Sequence, residues 1–326
     1  RHGKPALSGK MPALRQPVHQ SLMSAPVSPV PPRDGVAASC LVLPAGPWPD
    51  LLAFLQARFP HVAASWAQRL AAGQLWDDGG QPLPSPAPYR AGQRIWYFRQ
   101  VAGEVTVPFE APILFRDDRL LVVDKPHFLA CMPGGRHLQQ TVLTRLRQQP
   151  GLAAVSPIHR LDRETAGVLV FCVDPAWRGA YQRLFEQQQV SKEYEAIAPW
   201  PPAQPLPLDY ACRLQERAGE FVMSVVPGEP NSHTPISLIR QQGGWAHYRL
   251  QPSSGKKHQL RAHMAALGVP IRHDPWYPVF RHDKADDDFS QPLALLARSI
   301  TFTDPVDGRP RHFYSQRQLP WPEEQA

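Results

Sequence analysis

The chain has 326 residues and 43% hydrophobic content, enough for two domains with a real core. Its net charge of +7 and pI of about 9.4 suit a polyanionic partner, although basic charge alone does not require one. Its four cysteines (Cys40, Cys131, Cys172, Cys212) form no Cys-x-x-Cys pair, which excludes a zinc knuckle or redox motif, and its apolar runs are far too short for a transmembrane helix.

Residues 1–46 are rich in Pro, Ser, Arg and Lys with little apolar periodicity, so a disordered basic tail is expected. It can touch RNA or be passive. Met11 is a candidate start, and the basic opening lacks the apolar run of a secretory signal. Scattered reduced thiols and no signal give a cytoplasmic expectation.

Residues 47–105 read as a small α/β unit. Leu51, Leu52, Phe54 and Leu55 have helical spacing behind Pro49, and a second helix fits residues 64–72, stopped by Gly73. Gln74-Leu75-Trp76 reads as a strand, Asp77-Asp78-Gly79-Gly80 as a turn, and residues 91–95 as a turn into another strand. Two helices, a hairpin and a Gly-bounded strand resemble an S4 domain, a small RNA-binding module. The second helix offers Arg69 but few other basic residues, so RNA binding and a folded spacer both stand open.

Residues 106–326 form the second expected domain. Ile113-Leu114-Phe115, a turn at residues 116–118 and an apolar run at 120–123 give a hairpin leading into Asp124-Lys125-Pro126. A helix is expected over 137–149, with Val142, Leu143 and Leu146 on one face. Then comes Ser156-Pro157-Ile158-His159-Arg160-Leu161-Asp162-Arg163-Glu164-Thr165-Ala166-Gly167, followed by a buried strand over 168–173. On charge alone, Asp162 between Arg160 and Arg163 is an ordinary surface ion-pair cluster. A helix over 175–189 carries Trp177, Tyr181, Leu184 and Phe185 as core. Residues 192–198 alternate as a strand, in which Tyr194 by itself reads as packing.

A proline-rich loop at 199–207 precedes four strand-like runs at 208–214, 221–226, 234–239 and 245–250. No helices alternate with them, so an antiparallel sheet is expected rather than a doubly wound one. Ser253-Ser254-Gly255-Lys256-Lys257 opens a helix that ends at Gly268, with Leu260, Met264 and Leu267 on one face and His258 and Arg261 on another. Residues 283–288 are a charged loop. A strand over 293–302 is expected to be the last buried one, ahead of a polar tail from Pro320. His273, His282 and Asp283 match no zinc spacing.

Three segments together resemble the RluA-type pseudouridine synthases: His159-Arg160-Leu161-Asp162 with Thr165-x-Gly167, Lys192-x-Tyr194-x-Ala196, and Gly255-Lys256-Lys257-His258-Gln259-Leu260-Arg261-x-His263. In the last, Lys256 and Lys257 stand where the family has Arg and Thr. They keep positive charge without bidentate recognition. In Pro270-Ile271-x-His273-Asp274-x-x-Tyr277, His273 replaces the usual Gly, which would strain or reshape a tight turn.

The resemblance implies an α+β fold with a mainly antiparallel, mixed-sheet catalytic domain. It implies an isomerase that turns specific uridines of ribosomal or transfer RNA into pseudouridine, with no cofactor and no metal, acting as a monomer off the membrane. A dinucleotide fingerprint and a P-loop are both missing from the sequence. The resemblance makes Asp162 the catalytic carboxylate, attacking C1′ or removing a sugar proton. Arg261 becomes its partner, and Tyr194 a residue against the uracil that acts as base toward C5. Leu260 would wall the pocket, and Arg160 would fill the place of the flipped base. Lys125, at the Lys-Pro pair, lies by the cleft; Arg163, Lys192, Lys256 and Lys257 would hold phosphates; His258 and Gln259 complete the RNA-contacting set. An RNA-binding or folding factor with weak or lost catalysis is the alternative.

Overall fold

The computed structural model describes residues 27–216, 221–281 and 285–322. Two sheets organise them: three strands in the N-terminal unit and eleven in the second, an α+β arrangement. Among the described residues no helix is long and apolar enough to cross a membrane.

The N-terminal unit packs helices α1 (Leu51–Arg58) and α2 (Ala63–Ala71) beside strands in the order β1 (Ser39–Val42), β3 (Arg94–Tyr97), β2 (Leu75–Trp76). Asp50 caps α1 by accepting from the Ala53 amide at 2.8 Å. Leu51, Phe54, Leu55, Trp66 and Leu70 form its core with Leu43 and Ile95. The expected tail to residue 46 is corrected here. Its described part supplies β1, which pairs with β3 from Ser39↔Tyr97 to Val42↔Arg94, and buries Val36 and Ala38. Arg69 is also not a surface cation. It is 6% exposed, donates to the Phe98 carbonyl and stacks on Trp66.

The large sheet runs β10 (Met223–Val226), β9 (Leu208–Glu216), β11 (Ser232–Gln242), β12 (Trp245–Leu250), β8 (Ser191–Pro199), β13 (Leu295–Thr303), β7 (Ala166–Cys172), β5 (Leu120–Lys125), β4 (Ile113–Arg116). β6 (Ser156–Pro157) pairs with β7. Beyond the strand expected to be last, β14 (Pro310–Tyr314) pairs with β13, its side chains alternating between exposed and half-buried. Such a thin pattern gives little signal in sequence.

Period-two alternation splits the core. Leu121, Val123, Leu169 and Phe171 face helix α3 (Val142–Arg147), while Leu120, Val122, Val168 and Val170 face helix α4 (Arg178–Glu186). Helix α5 (Gln259–Ala266) covers a further stretch of sheet through Leu260 and Met264, against Ile236, Tyr248 and Leu250. Tyr194 packs against both the α3 and the α5 clusters, so it lies at their junction.

α3 is shorter than expected. The Glu104 carboxylate takes the amides of Leu138, Gln139 and Gln140 at 2.6–2.9 Å, and the helix starts only after Thr141, whose hydroxyl caps the Thr144 amide. α5 is buried over Gln259–Met264, not amphipathic, because Ala262 packs against Tyr277, Cys212 and Leu214 on the side away from the sheet core.

At the centre, β7 and β13 run parallel, with Ala297 opposite Gly167. Gly167 has φ +117°, and a β-carbon there would lie 2.2 Å from the Ala297 carbonyl oxygen. Gly167→Ala is therefore expected to destabilise the chain by about 2–4 kcal/mol through backbone strain and overlap. Urea unfolding of the variant beside wild type measures it, and equal midpoints would contradict this packing.

Candidate active site

Asp162 lies on the loop between β6 and β7, and a set of buried contacts fixes that loop. Lys125, fully buried at the end of β5, donates to the carbonyls of Pro126, Leu129 and Arg163 at 2.8–3.0 Å. These three bonds use every ammonium proton. Burial pushes its pKa down to about 8, which leaves it charged at neutral pH. Cys131 brackets Leu161 from both sides, its thiol donating to the carbonyl at 3.1 Å and accepting from the amide at 3.2 Å. His127 bonds the Glu164 carbonyl at 2.7 Å, and the Thr165 amide closes a turn onto the Asp162 carbonyl at 3.1 Å. His159 accepts from the Val170 amide at 3.0 Å and stacks on Phe185; burial drives its pKa down to about 3, so it is a neutral support.

The Asp162 side chain is 23% exposed and meets Arg261 with Oδ2 3.4 Å from Nη1. Arg261 itself is 1% exposed. Its other edge forks onto Asp274, with Nε to Oδ2 at 2.7 Å and Nη2 to Oδ1 at 2.5 Å. Burial works against the guanidinium charge, but the hydrogen bonds and charge of Asp274, with Asp162 and Glu164 adding to them, raise its pKa further. Trp276 closes the site by stacking on the guanidinium at 4.1 Å.

Asp274 is held in turn. Its Oδ1 accepts from the amides of Trp276 and Tyr277 at 2.8 and 3.1 Å. Two residues of this region sit in the left-handed conformation without being glycine: His273 (φ +63°) and His258 (φ +53°). The substitution of the usual Gly by His273 thus keeps the turn geometry and carries the strain. His258 hydrogen-bonds the Tyr277 hydroxyl at 3.1 Å, and burial lowers its pKa to about 4.

Tyr194 on β8 borders the same junction, half-buried. Burial, then the negative charge of Asp162, raise its phenol well above the ordinary range, which keeps it protonated at neutral pH. Among the described residues nothing hydrogen-bonds its hydroxyl. Leu260 is 7% exposed and packs in the cluster that Tyr194 borders.

The remaining expected contacts divide by exposure. Arg160 and Lys256 are exposed, and among the described residues no side chain pairs with theirs. Lys192 donates to the Ser254 carbonyl at 3.2 Å, and Lys257 pairs with Glu216 at 2.6 Å. Arg163 pairs with Glu164 and reaches the Asp286 carbonyl. Gln259 is buried with both amide atoms satisfied. Its Oε1 accepts from Ser254 and the Lys256 amide, and its Nε2 donates to His233 and Thr234. Lys125 and Gln259 therefore shape loops and have no free surface for RNA, a correction forced by burial. His282 and Asp283, considered with His273 for metal binding, lie outside the described residues.

Sequence reasoning left out Asp274, Trp276 and Cys131. The signal for Asp274 was available: an arginine on a helix with apolar residues around it needs a buried carboxylate, and Asp274 is the acid of the next loop. Removing it leaves a guanidinium 1% exposed without its fork partner. Asp274→Ala is expected to cost about 3–5 kcal/mol of stability, read from urea denaturation. A loss below about 1 kcal/mol would be no more than a surface pair gives and would contradict the arrangement.

Residues 119–266 match the RNA pseudouridylate synthase family. The dual-specificity RNA pseudouridine synthase RluA of Haemophilus influenzae is 31% identical over 213 residues, covering 62% of this chain and 90% of that protein. The tRNA pseudouridine synthase C of Vibrio vulnificus is 31% identical over 209 residues, covering 59% and 85%. Among solved structures, human RNA pseudouridylate synthase domain containing 4 aligns with TM-score 0.50 at 27% identity, covering 64% of this chain and 88% of that one. Human RNA pseudouridylate synthase domain containing 1 gives TM-score 0.52 at 22% identity, a likeness of fold. By its sequence and its sheet, this chain belongs to the RluA-type RNA pseudouridine synthases, and its enzyme class is isomerase.

Proposed function

We propose that the protein converts specific uridines of ribosomal or transfer RNA to pseudouridine, with Asp162 as the reacting carboxylate. One observation carries this reading: Asp162 is partly exposed while its partner Arg261 is buried and locked to Asp274. A carboxylate in that position is held beside a fixed cation and has one face open to a sugar. The relatives include proteins named for dual specificity toward RNA and for tRNA, which supports RNA as the substrate and tRNA as one class of it.

In the reaction the bond from N1 to C1′ breaks, the uracil turns, C5 bonds to C1′, and the C5 proton leaves as N1 gains one. Atoms and electrons balance within the nucleotide, so the chemistry requires no cofactor. Asp162 either adds to C1′ or takes a sugar proton. Tyr194 lies against the uracil, and its protonated phenol assists the C5 proton transfer only if it passes its own proton on in the same step. The uridine must leave its stack, at roughly a few kcal/mol. Arg160, exposed and without a side-chain partner among the described residues, suits the space it vacates. Lys256 is the freest phosphate ligand, whereas Lys192, Lys257 and Arg163 must share their charge with protein partners. The N-terminal unit, residues 47–105 with β1 added, is the S4-like module of this reading. With Arg69 buried, it serves as a folded support before it serves as an RNA contact.

Asp162→Asn is expected to lower pseudouridine formation by roughly 10²–10⁴-fold or more while leaving RNA affinity close to wild type. Incubating unmodified tRNA and ribosomal RNA transcripts with each protein, then digesting to nucleosides for mass spectrometry, reads the outcome. Product formation by the variant at the wild-type rate would sink the assignment of Asp162. Binding without product by the wild-type protein would favour an RNA-binding factor with lost catalysis.

A further inference from the structure

Phe221 precedes β10 and is 51% exposed. A single exposed aromatic needs no explanation by itself, but three features set this one apart. It lies close to a fixed point: two residues on, the Met223 amide donates to the Tyr277 hydroxyl at 2.7 Å, which donates back to the Met223 carbonyl at 3.2 Å. It is continuous with the candidate active site. Its ring meets Trp276 edge-to-face at 4.6 Å, and Trp276 stacks on the Arg261 guanidinium that contacts Asp162. It is also cationic on one side, with Lys257 Nζ 4.6 Å from the ring centre.

We infer that Phe221, backed by Trp276 and flanked by Lys257, is a stacking subsite for a nucleobase next to the uridine that enters the site. This rests on the RNA reading above. Extruding a uridine unstacks it from the bases on both sides; Arg160 suits the gap left in the stack, and an exposed ring three contacts from Asp162 suits a neighbouring base drawn out towards the site. Every base has a π-face, so the subsite tolerates any sequence. Lys257 covers one face of the ring, so the base would stack on the other, with the ammonium left to meet a phosphate of the same strand. Its pairing with Glu216 lets it serve the backbone less strongly than a free lysine.

The test uses the full chain and a hairpin RNA containing one uridine that the wild-type protein converts in tRNA or ribosomal RNA. If no RNA is converted, a uridine-loop hairpin serves as the binding probe, and that failure counts against the catalytic reading alone. Phe221→Ala is expected to weaken binding by about tenfold or more, with Phe221→Trp restoring it. On hairpins with an abasic site placed at each position flanking the uridine, one position should weaken wild type equally and make the Phe221→Ala effect vanish. Unchanged affinity and conversion in Phe221→Ala would overturn the subsite. So would a loss of affinity that persists at full size on every abasic hairpin, because it would then be structural.

Discussion

A guanidinium 1% exposed must have its charge met inside the protein, and Arg261 is met twice. Asp274 takes one edge in a two-bond fork, and Asp162 meets the remaining nitrogen at 3.4 Å. The two carboxylates are not equivalent. Asp274 is fully buried and saturated by two backbone amides, whereas Asp162 keeps 23% of its side chain open. One arginine thus ties a structural acid to an accessible one. The loop of residues 270–277, helix α5 and the Asp162 loop must all be in register for both contacts to exist.

The rest of the fold serves that register. Lys125, Cys131 and His127 bind backbone atoms of the Asp162 loop and of its neighbours. Gly167 lets β7 run close beside β13, where any side chain would strike the Ala297 backbone. Tyr194 then projects from β8, which is β13's other neighbour, at the junction of the α3 and α5 clusters. On β8 the next residue, Glu195, turns away and is held by Arg298 and His247; burial opposes its charge, but those partners bring its pKa down to about 2. Period-two alternation thus lets one strand present Tyr194 at the helix-cluster junction and Glu195 to an ion-pair network.

Much of this is legible in the sequence because local signals agree. The apolar runs of β5 and β7, the Gly73 and Gly268 stops and the strand around Tyr194 all appear near their expected places. The three motifs bring Asp162, Tyr194, Leu260 and Arg261 into one region. What sequence misses depends on distant partners. The start of α3 is delayed by Glu104, a residue 34 positions from the amide it caps. β1 and β14 carry weak patterns and become strands because β3 and β13 offer free edges. Lys192, Lys257 and Arg163 are expected phosphate ligands by resemblance, yet the motifs do not reveal that a carbonyl or carboxylates already occupy them. Asp274 is passed over because α5 reads as amphipathic, with Arg261 and His258 on its second face, and only the burial of that face makes a second acid necessary.

The central claim is that the planar fork of Arg261, held by Asp274, positions Asp162. Lysine keeps the charge but cannot span both carboxylates. The direct test is the single-turnover rate of pseudouridine formation by Arg261→Lys, with RNA affinity measured on the same preparation to report folding. A rate lowered by about a hundredfold or more, with affinity retained, is the predicted result. A rate within a few-fold of wild type would contradict the account.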